Sequence, residues 1–503
     1  MNSNNLHNRL IRYIDGGFPI IYINSFEENK VDEIIRKVAD KRNVLEWNAA
    51  NGYVDFNTKV KFFEEYSLVD TLVLLNSKNE YACELERKLL ILKDVAGSQL
   101  ENDRVTALLK DLAIQINEGL DATIIIVSPI LIIPKVLEKY IVVLEMDYLH
   151  SSEIKQIIGK FIAENCLSPI ADSLMEEMAI AFKGLTEYEI NNILSLSYAD
   201  DGELSHNDLA LIFEQKQQMI KKAGILEMVP LRESIDDIGG LENLKQWLER
   251  KAHIYKNINK AIAFGVDMPK GVLIAGVPGC GKSLNAKAAA KLFGVPLLRL
   301  DIGRLMGKYV GESEENMRKA TALAEAISPC VLWIDELEKA FAGIGGSGGG
   351  AEVTTRLLGS FLTWMQEKDG PVFVVATAND ISKLPPELLR KGRFDEIFYV
   401  GLPKDEERSK IFEIHIKKRR SADLNKINIQ ELVKKTNGYS GADIEGVVKE
   451  SIEGVFADGR AELTTKDVLD TIQGTHSLSE IMKEPLERMS QDYKNRKFKN
   501  ASR

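Results

Sequence analysis

The sequence predicts an α/β protein: a parallel, helix-covered sheet closed by a helical lid, preceded by a fainter copy of the same order. Three observations predict it. Short apolar runs alternate with segments whose apolar residues recur at helical spacing, the pattern of a parallel sheet with helices on its faces. A glycine-rich turn, Gly276-Val-Pro-Gly-Cys-Gly-Lys-Ser283, follows the first apolar run of the second half. After Pro403 the strand-like runs stop and only helical patterns remain.

Taken in order, residues 19–24, 43–47, 89–94 and 123–128 read as the strands of the first half, with helical patterns at 28–39 and 103–116. Residues 151–225 read as mostly helical, and within them GLTEYEI (184–190) echoes GYSGADI (438–444). Pro230 interrupts the helical pattern, which puts a boundary between residues 224 and 233. The second half offers strands at 271–275, 296–301, 330–334, 372–377 and 396–400, and a helix beginning near Lys282. Met317, Ala320, Ala324 and Ile327 mark a further helix over 313–327. Helical stretches near 406–417, 428–435, 442–455 and 465–473 make the lid. The expected domains are 1–150 (degenerate α/β), 151–230 (helical region and linker), 231–403 (large α/β subdomain) and 404–490 (lid), with 491–503 a basic tail expected to fray.

Bulk properties exclude several classes. With 45% apolar and 28% charged residues the chain has the balance of a globular protein. No run of 18 apolar residues occurs and the first residues lack the apolar core of a secretory signal, so no membrane span is expected and the compartment expected is the cytoplasm. Cys83, Cys166, Cys280 and Cys330 are scattered and the six histidines do not cluster, which argues against a disulfide framework or a zinc site. A net charge of −10 argues against a general nucleic-acid binder.

The glycine-rich turn fits G-x-x-x-x-G-K-[ST] between a predicted strand and helix. Gly276, Pro278, Gly279, Cys280, Gly281 and Leu284 belong to a loop whose backbone N–H groups can curl around phosphate oxygens at a helix N-terminus. Lys282 can reach the β- and γ-phosphates, and the hydroxyl of Ser283 can ligate Mg²⁺. The alternative is a strand-to-helix turn that merely happens to be rich in glycine. Context weighs against it: the run CVLWI ends in Asp335-Glu336, at the strand edge where open α/β sheets bind ligands. Asp335 is expected to hold Mg²⁺ and Glu336 to orient and deprotonate a water. Asn379, after the run VFVVATA, is expected to bond the γ-phosphate or that water. Cys280 reads as a small residue filling the turn or as an oxidation-sensitive thiol.

With those residues in hand, residues 235–455 resemble the AAA clade of AAA+ ATPases. The likeness includes the run ANDISKLPPELLRKGRFD (378–395), and it implies ATP with Mg²⁺ as cofactors and Arg390 and Arg393 as the two arginine fingers that reach a neighbouring subunit's nucleotide. IDDIGGLENLK resembles the segment that wraps adenine, which nominates Asp237, Ile238 and Gly239; GYSGADI resembles the lid motif, which nominates Gly441 and Ala442. The wording GCGKS, SPCVLWIDELEKAF and ELLRKGRFDEIF is similar to an AAA family of cyanobacteria, algal chloroplast genomes and other bacteria, which pairs a degenerate first half with an intact second. By position, Tyr309 in MGKYVGESEEN is either the aromatic of a first pore loop or a packing residue. The glycines at 343–350 are either a second pore loop or a connector.

The first half departs at the decisive place. SFEENK follows its first strand with no glycine and two carboxylates, and LLILKD ends in Asp94 without a glutamate; Lys30 reads as a solvent-facing helix residue. That half is expected to regulate or dock, not hydrolyse. The expected function is a homo-hexameric ATP-driven ring remodelling a protein partner. The alternatives are an ATP-dependent scaffold or switch recruiting partners through the first half, and a nucleic-acid-associated ATPase using the basic tail.

Overall fold

The computed structural model describes residues 6–39, 42–63, 66–76, 84–95, 97–306, 312–341, 349–368 and 370–503. Cys83, Tyr309 and residues 343–348 lie outside them; residues 349 and 350 open the helix Gly349–Glu367. The chain forms two compact units, residues 1–168 with 185–196 and residues 169–184 with 197–503.

The first unit holds six strands: β1 (Ile20–Asn24), β2 (Asn43–Asn48), β3 (Gly52–Asp55), β4 (Lys88–Lys93), β5 (Ala122–Ser128) and β6 (Ile141–Glu145). Their order is β3-β2-β4-β5-β1-β6, with β3 antiparallel to β2 and the rest parallel. Alternate residues face opposite cores: Ile20, Tyr22, Leu90, Leu92, Ile124 and Ile126 pack on one face, their sequence neighbours Ile21, Ile23, Leu89, Ile91, Ile125 and Val127 on the other. A parallel sheet buried on both faces gives uninterrupted apolar runs rather than alternation, which is why the central strands were readable. The edge strands β3 and β6 were not. GYVD is short and joined to β2 by a tight turn, and β6 is mostly half-exposed.

The second unit holds β7 (Leu226–Val229), β8 (Gly271–Gly276), β9 (Leu297–Leu300), β10 (Cys330–Ile334), β11 (Val372–Ala378), β12 (Glu396–Val400) and β13 (Lys499–Asn500). They are ordered β7-β9-β10-β11-β8-β12-β13, all parallel except β7. Two expectations change here. The stretch read as a linker carries β7, which pairs antiparallel with β9. The tail read as frayed is instead docked: β13 pairs with β12, and Ala501 is fully buried. The Ala501 carbonyl accepts from the N–H groups of Asn243 (3.0 Å) and Leu244 (3.2 Å). Those donors, in the first turn of helix Glu242–Lys256, have no partner within their own helix.

The lid begins with helix Asp405–Arg420 and continues through Ile429–Lys435, Gly441–Ala457 and Thr465–Gly474 around its own core of Phe412, Ile416, Leu432, Ile444, Val448 and Leu463. Among the described residues no helix is long and apolar enough to cross a membrane.

Candidate functional site

The site lies at the carboxyl end of β8, between the large subdomain and the lid, as a cavity of about 400 Å³. Five residues, 277–281, join β8 to helix Lys282–Phe293. Gly279 takes φ +73°, and a Cβ there would lie 2.9 Å from Ala442 Cβ and 3.0 Å from Ser440 Oγ. Glycine is therefore required both for the backbone turn and for the close approach of the lid. The Ala442 N–H donates to the Gly279 carbonyl at 2.9 Å, tying the lid helix Gly441–Ala457 to the loop. Lys282 is buried and donates to the Gly276 (2.9 Å) and Val277 (2.7 Å) carbonyls. These use two of its three hydrogens and leave one for a phosphate oxygen. Burial lowers its pKa to about 8, against the pull of nearby carboxylates. Cys280 also lines the cavity; burial pushes its thiol up to about 11, so it is a protonated, space-filling group at neutral pH.

Around the end of β10, Asp335 Oδ1 accepts from Ser283 Oγ at 3.1 Å and from Thr377 Oγ1 at 2.5 Å. Hard oxygen donors of this kind suit Mg²⁺, which takes few protein ligands, so Ser283 and Asp335 fit the role read from sequence. Glu336 follows in the left-handed region, φ +52°, a conformation rare for a non-glycine residue. Its N–H donates to Thr377 Oγ1 at 3.0 Å, and Asn379 Nδ2 donates to its Oε1 at 3.2 Å. Asn379 is in turn held through its own N–H, which donates to Glu338 Oε1 at 3.0 Å. Burial raises the pKa of Glu338. Thr377 and Glu338 were missed in the sequence, although each sits two residues from a recognised site residue.

At the other end Ile238, Ile411 and Ile414 give the cavity apolar walls among charged and polar ones. Ile238 is buried there, and a Cβ on Gly239 would lie 2.5 Å from Ile411, so this glycine lets the segment lie flat on the first lid helix. Asp237 lines the cavity while its carboxylate accepts from Ser234 N–H (2.6 Å) and Oγ (2.9 Å), a local cap that holds its pKa low. Pro278, Gly281, Leu284, Gly441 and Ala442 also line it; Gly276, just beneath, does not. His415 and Glu407, unread in the sequence, do line it. Neither Arg390 nor Arg393 lines the cavity of its own chain. Arg390 is exposed, and Arg393 donates to the Leu362 carbonyl at 2.8 Å.

The corresponding place in the first unit is built differently. Three residues, 25–27, join β1 to helix Glu28–Ala39. Glu28 heads that helix where Lys282 heads the other. Lys93, the residue before the left-handed Asp94 (φ +53°), stands as Asp335 stands before Glu336. Buried Lys93 meets the Asp32 carboxylate at 2.8 Å, Glu46 at 3.4 Å and Glu28 at 3.8 Å, and Lys59 adds a 2.5 Å contact to Glu46. Lys30, read as solvent-facing, is half-buried.

Residues 272–402 match the ATPase family associated with various cellular activities (AAA), and residues 426–470 match the AAA+ lid domain. Residues 6–146 and 152–223 match the N-terminal and second domains of SpoVK-like AAA ATPases. The chain is 38% identical to "Uncharacterized AAA domain-containing protein ycf46" of Guillardia theta, over 91% of this chain and 88% of that protein. It is 36% identical to the Pyropia yezoensis protein of the same name, over 96% of this chain and 97% of that one. A shorter likeness, 36% identity over 43% of this chain and 30% of the relative, links it to the Cell division cycle protein 48 homolog of Archaeoglobus fulgidus.

Proposed function

The chain belongs to the AAA family of ATPases, in the group of the ycf46 AAA domain-containing proteins, and from that premise we propose that it is a ring-forming motor, homo-hexameric, whose ATP hydrolysis remodels a protein partner. ATP is held by the loop residues Gly276 to Leu284, with Lys282 on its phosphates. Its base lies between Asp237, Ile238 and Gly239 on one side and Gly441 and Ala442 on the other. Ser283 and Asp335 would hold Mg²⁺, which would neutralise charge on the phosphates. Glu336 takes the proton of the attacking water, and Asn379 fixes the carboxylate that receives it. Transition-state charge calls for a further cation, and Arg390 is the group proposed to supply it, to the nucleotide of the next subunit.

The observation that carries this reading is the exposure of Arg390 outside its own cavity, whose lining includes Lys282, Ser283, Asp335, Glu336 and Asn379. A cytoplasmic setting and a protein rather than nucleic-acid partner belong to the same proposal, supported by the scattered cysteines and the net charge of −10. The experiment is sedimentation of Glu336→Gln with Mg-ATP, with Arg390→Ala beside wild type in a turnover assay. A hexamer, and a fall of about 10³-fold in turnover with nucleotide affinity kept, are expected. A protein that stays monomeric and hydrolyses ATP at the same specific rate on dilution rules out the ring. The ion-paired first unit favours a second reading, a nucleotide-controlled scaffold recruiting partners through that unit. Under it, partner binding follows the nucleotide state without partner unfolding.

A further inference from the structure

The segment after β13 reaches the base end of the cavity through one carboxylate. Just before helix Glu242–Lys256 the chain turns through Gly240 (φ +81°) and Leu241 (φ +60°), two left-handed residues in succession. For a leucine that conformation costs about 1–3 kcal/mol and persists only where the surroundings hold it. Glu407, in the first turn of helix Asp405–Arg420, is the holder. Its Oε1 accepts the Leu241 N–H at 3.0 Å and the Ser502 hydroxyl at 2.6 Å, and its Oε2 accepts the Lys404 N–H at 2.9 Å. A Cβ on Gly240 would collide with the same Oε1, so glycine is what lets the carboxylate seat on the turn. Glu407 is buried and these three donors are neutral, so each of them matters to its solvation. Ile238, Gly239, Leu241 and Glu407 all line the cavity. Ser502 is itself buried and fixed. Asn243 Nδ2 donates to its carbonyl at 2.7 Å, its N–H donates to Asn500 Oδ1 at 3.2 Å, and the neighbouring Ala501 N–H donates to the Tyr399 carbonyl of β12 at 2.9 Å.

Resting on the ATP-site reading above, we propose that Ser502 is a positioning residue for nucleotide binding: docked beside β12, it fixes the Glu407 carboxylate, which holds the turn at Leu241 and with it the Ile238–Gly239 wall of the base site. Hydrolysis uses no atom of this tail. Its contacts nevertheless close across the joint between subdomain and lid, since Asn243 and Tyr399 hold it from the large subdomain while Glu407 belongs to the first lid helix. Coupling between two sites is reciprocal. A tail that favours nucleotide must therefore be held more firmly once nucleotide is bound, which a tail that only adds stability to the fold need not be.

The experiment measures Mg-ATP affinity of the full chain by calorimetry, wild type beside Ser502→Ala and Ser502→Thr. Ser502→Ala should bind about three- to tenfold more weakly, the worth of one hydrogen bond. Ser502→Thr, which keeps the hydroxyl, should restore most of the affinity. Hydrogen exchange gives the reciprocal measurement without a substitution, and serves where Ser502→Ala does not fold. In wild type, saturating Mg-ATP should slow exchange of the Ala501 amide by about three- to tenfold, the same factor read from the other side. Strand β7, at the opposite edge of the same sheet, should change less. Three results overturn the inference while leaving the ATP site intact. They are Ser502→Ala binding Mg-ATP like wild type, whatever it loses in urea stability; Ser502→Thr binding as weakly as Ser502→Ala; and Ala501 exchange that Mg-ATP slows no more than exchange in β7. A wild-type protein that binds no Mg-ATP overturns the underlying reading and the inference with it.

Discussion

At the carboxyl ends of the strands, the second unit sets Lys282 at the head of a helix and Asp335 after β10, whereas the first unit sets Glu28 and Lys93 at the matching places. The two sheets otherwise share one plan: an antiparallel edge strand (β3 or β7) followed by five parallel strands in the same spatial order, to which the second sheet adds a sixth, β13. The backbone device is also shared, since Asp94 and Glu336 both turn out of their strands with φ near +52°. What differs is charge and loop length. An exchanged lysine and carboxylate, with two fewer residues in the turn, leave an internal ion-pair cluster where the second unit has the loop proposed to hold phosphates. The fold therefore does not carry the chemistry; a few side chains at one sheet edge do.

The sharpest way to break this comparison is to treat the matching acids alike. Glu336→Gln should lower ATP turnover by about 10²–10⁴-fold with nucleotide binding kept, because only the proton acceptor is lost. Asp94→Asn, on the exposed end of β4, should leave steady-state turnover unchanged. Equal losses from both substitutions would mean that the first unit hydrolyses as well. A second break lies in the cluster itself. Lys93→Met strips the buried cation from Asp32, Glu46 and Glu28, and losing one partner of a buried pair costs about 3–5 kcal/mol. Urea unfolding, with hydrogen exchange on β4 and β5 as the local probe, should show that loss in the first unit. Mg-ATP affinity should not move. A cost near zero would mean the cluster is a solvated surface rather than a buried ion-pair network.

The parts legible in the sequence are those whose chemistry needs fixed residue types at fixed spacing within one segment. The loop from Gly276 to Ser283 and the pair Asp335-Glu336 are of that kind, and so are the buried central strands. Edge strands such as β7 and β13 were not legible, because a short half-exposed segment becomes a strand only when a neighbouring edge accepts it. The tail shows this well: QDYKNRKFKNASR is mostly basic and polar, yet Tyr493 is buried and Ala501 is buried against helix Glu242–Lys256. Nor was the Leu241–Glu407–Ser502 arrangement legible, since it joins three segments that only the fold brings together. The charge exchange in the first unit lay half in view. The carboxylates of SFEENK argued against phosphate, while Lys93 and its partners Asp32 and Glu46 meet only across the sheet edge.

The smallest expected effect concerns how each unit holds its lid-type helix. In the second unit the Ala442 N–H donates to a loop carbonyl, Gly279, at 2.9 Å. In the first, the N–H of Glu187, at the start of helix Glu187–Asp201, donates to the side chain of Glu27 at 2.8 Å. A carboxylate thus occupies the helix N-terminus where anions are favoured. Burial raises the pKa of Glu27, against the hydrogen bonds from the helix and the charge of Lys30. A raised folded-state pKa means its contribution is fully present below the ordinary carboxylate value of 4.5 and is lost as the pH rises through the folded value. Glu27→Ala removes the acceptor and should cost the first unit about 1 kcal/mol, the worth of a cap. Glu27→Gln keeps a carbonyl acceptor and abolishes the titration. Its stability relative to wild type should therefore increase as the pH is raised from 4.5 toward neutrality, in urea titrations of the full chain at matched ionic strength. Should the two proteins stay parallel across that range, Glu27 is not buried against the helix, and the first unit's lid-type helix is held by packing alone.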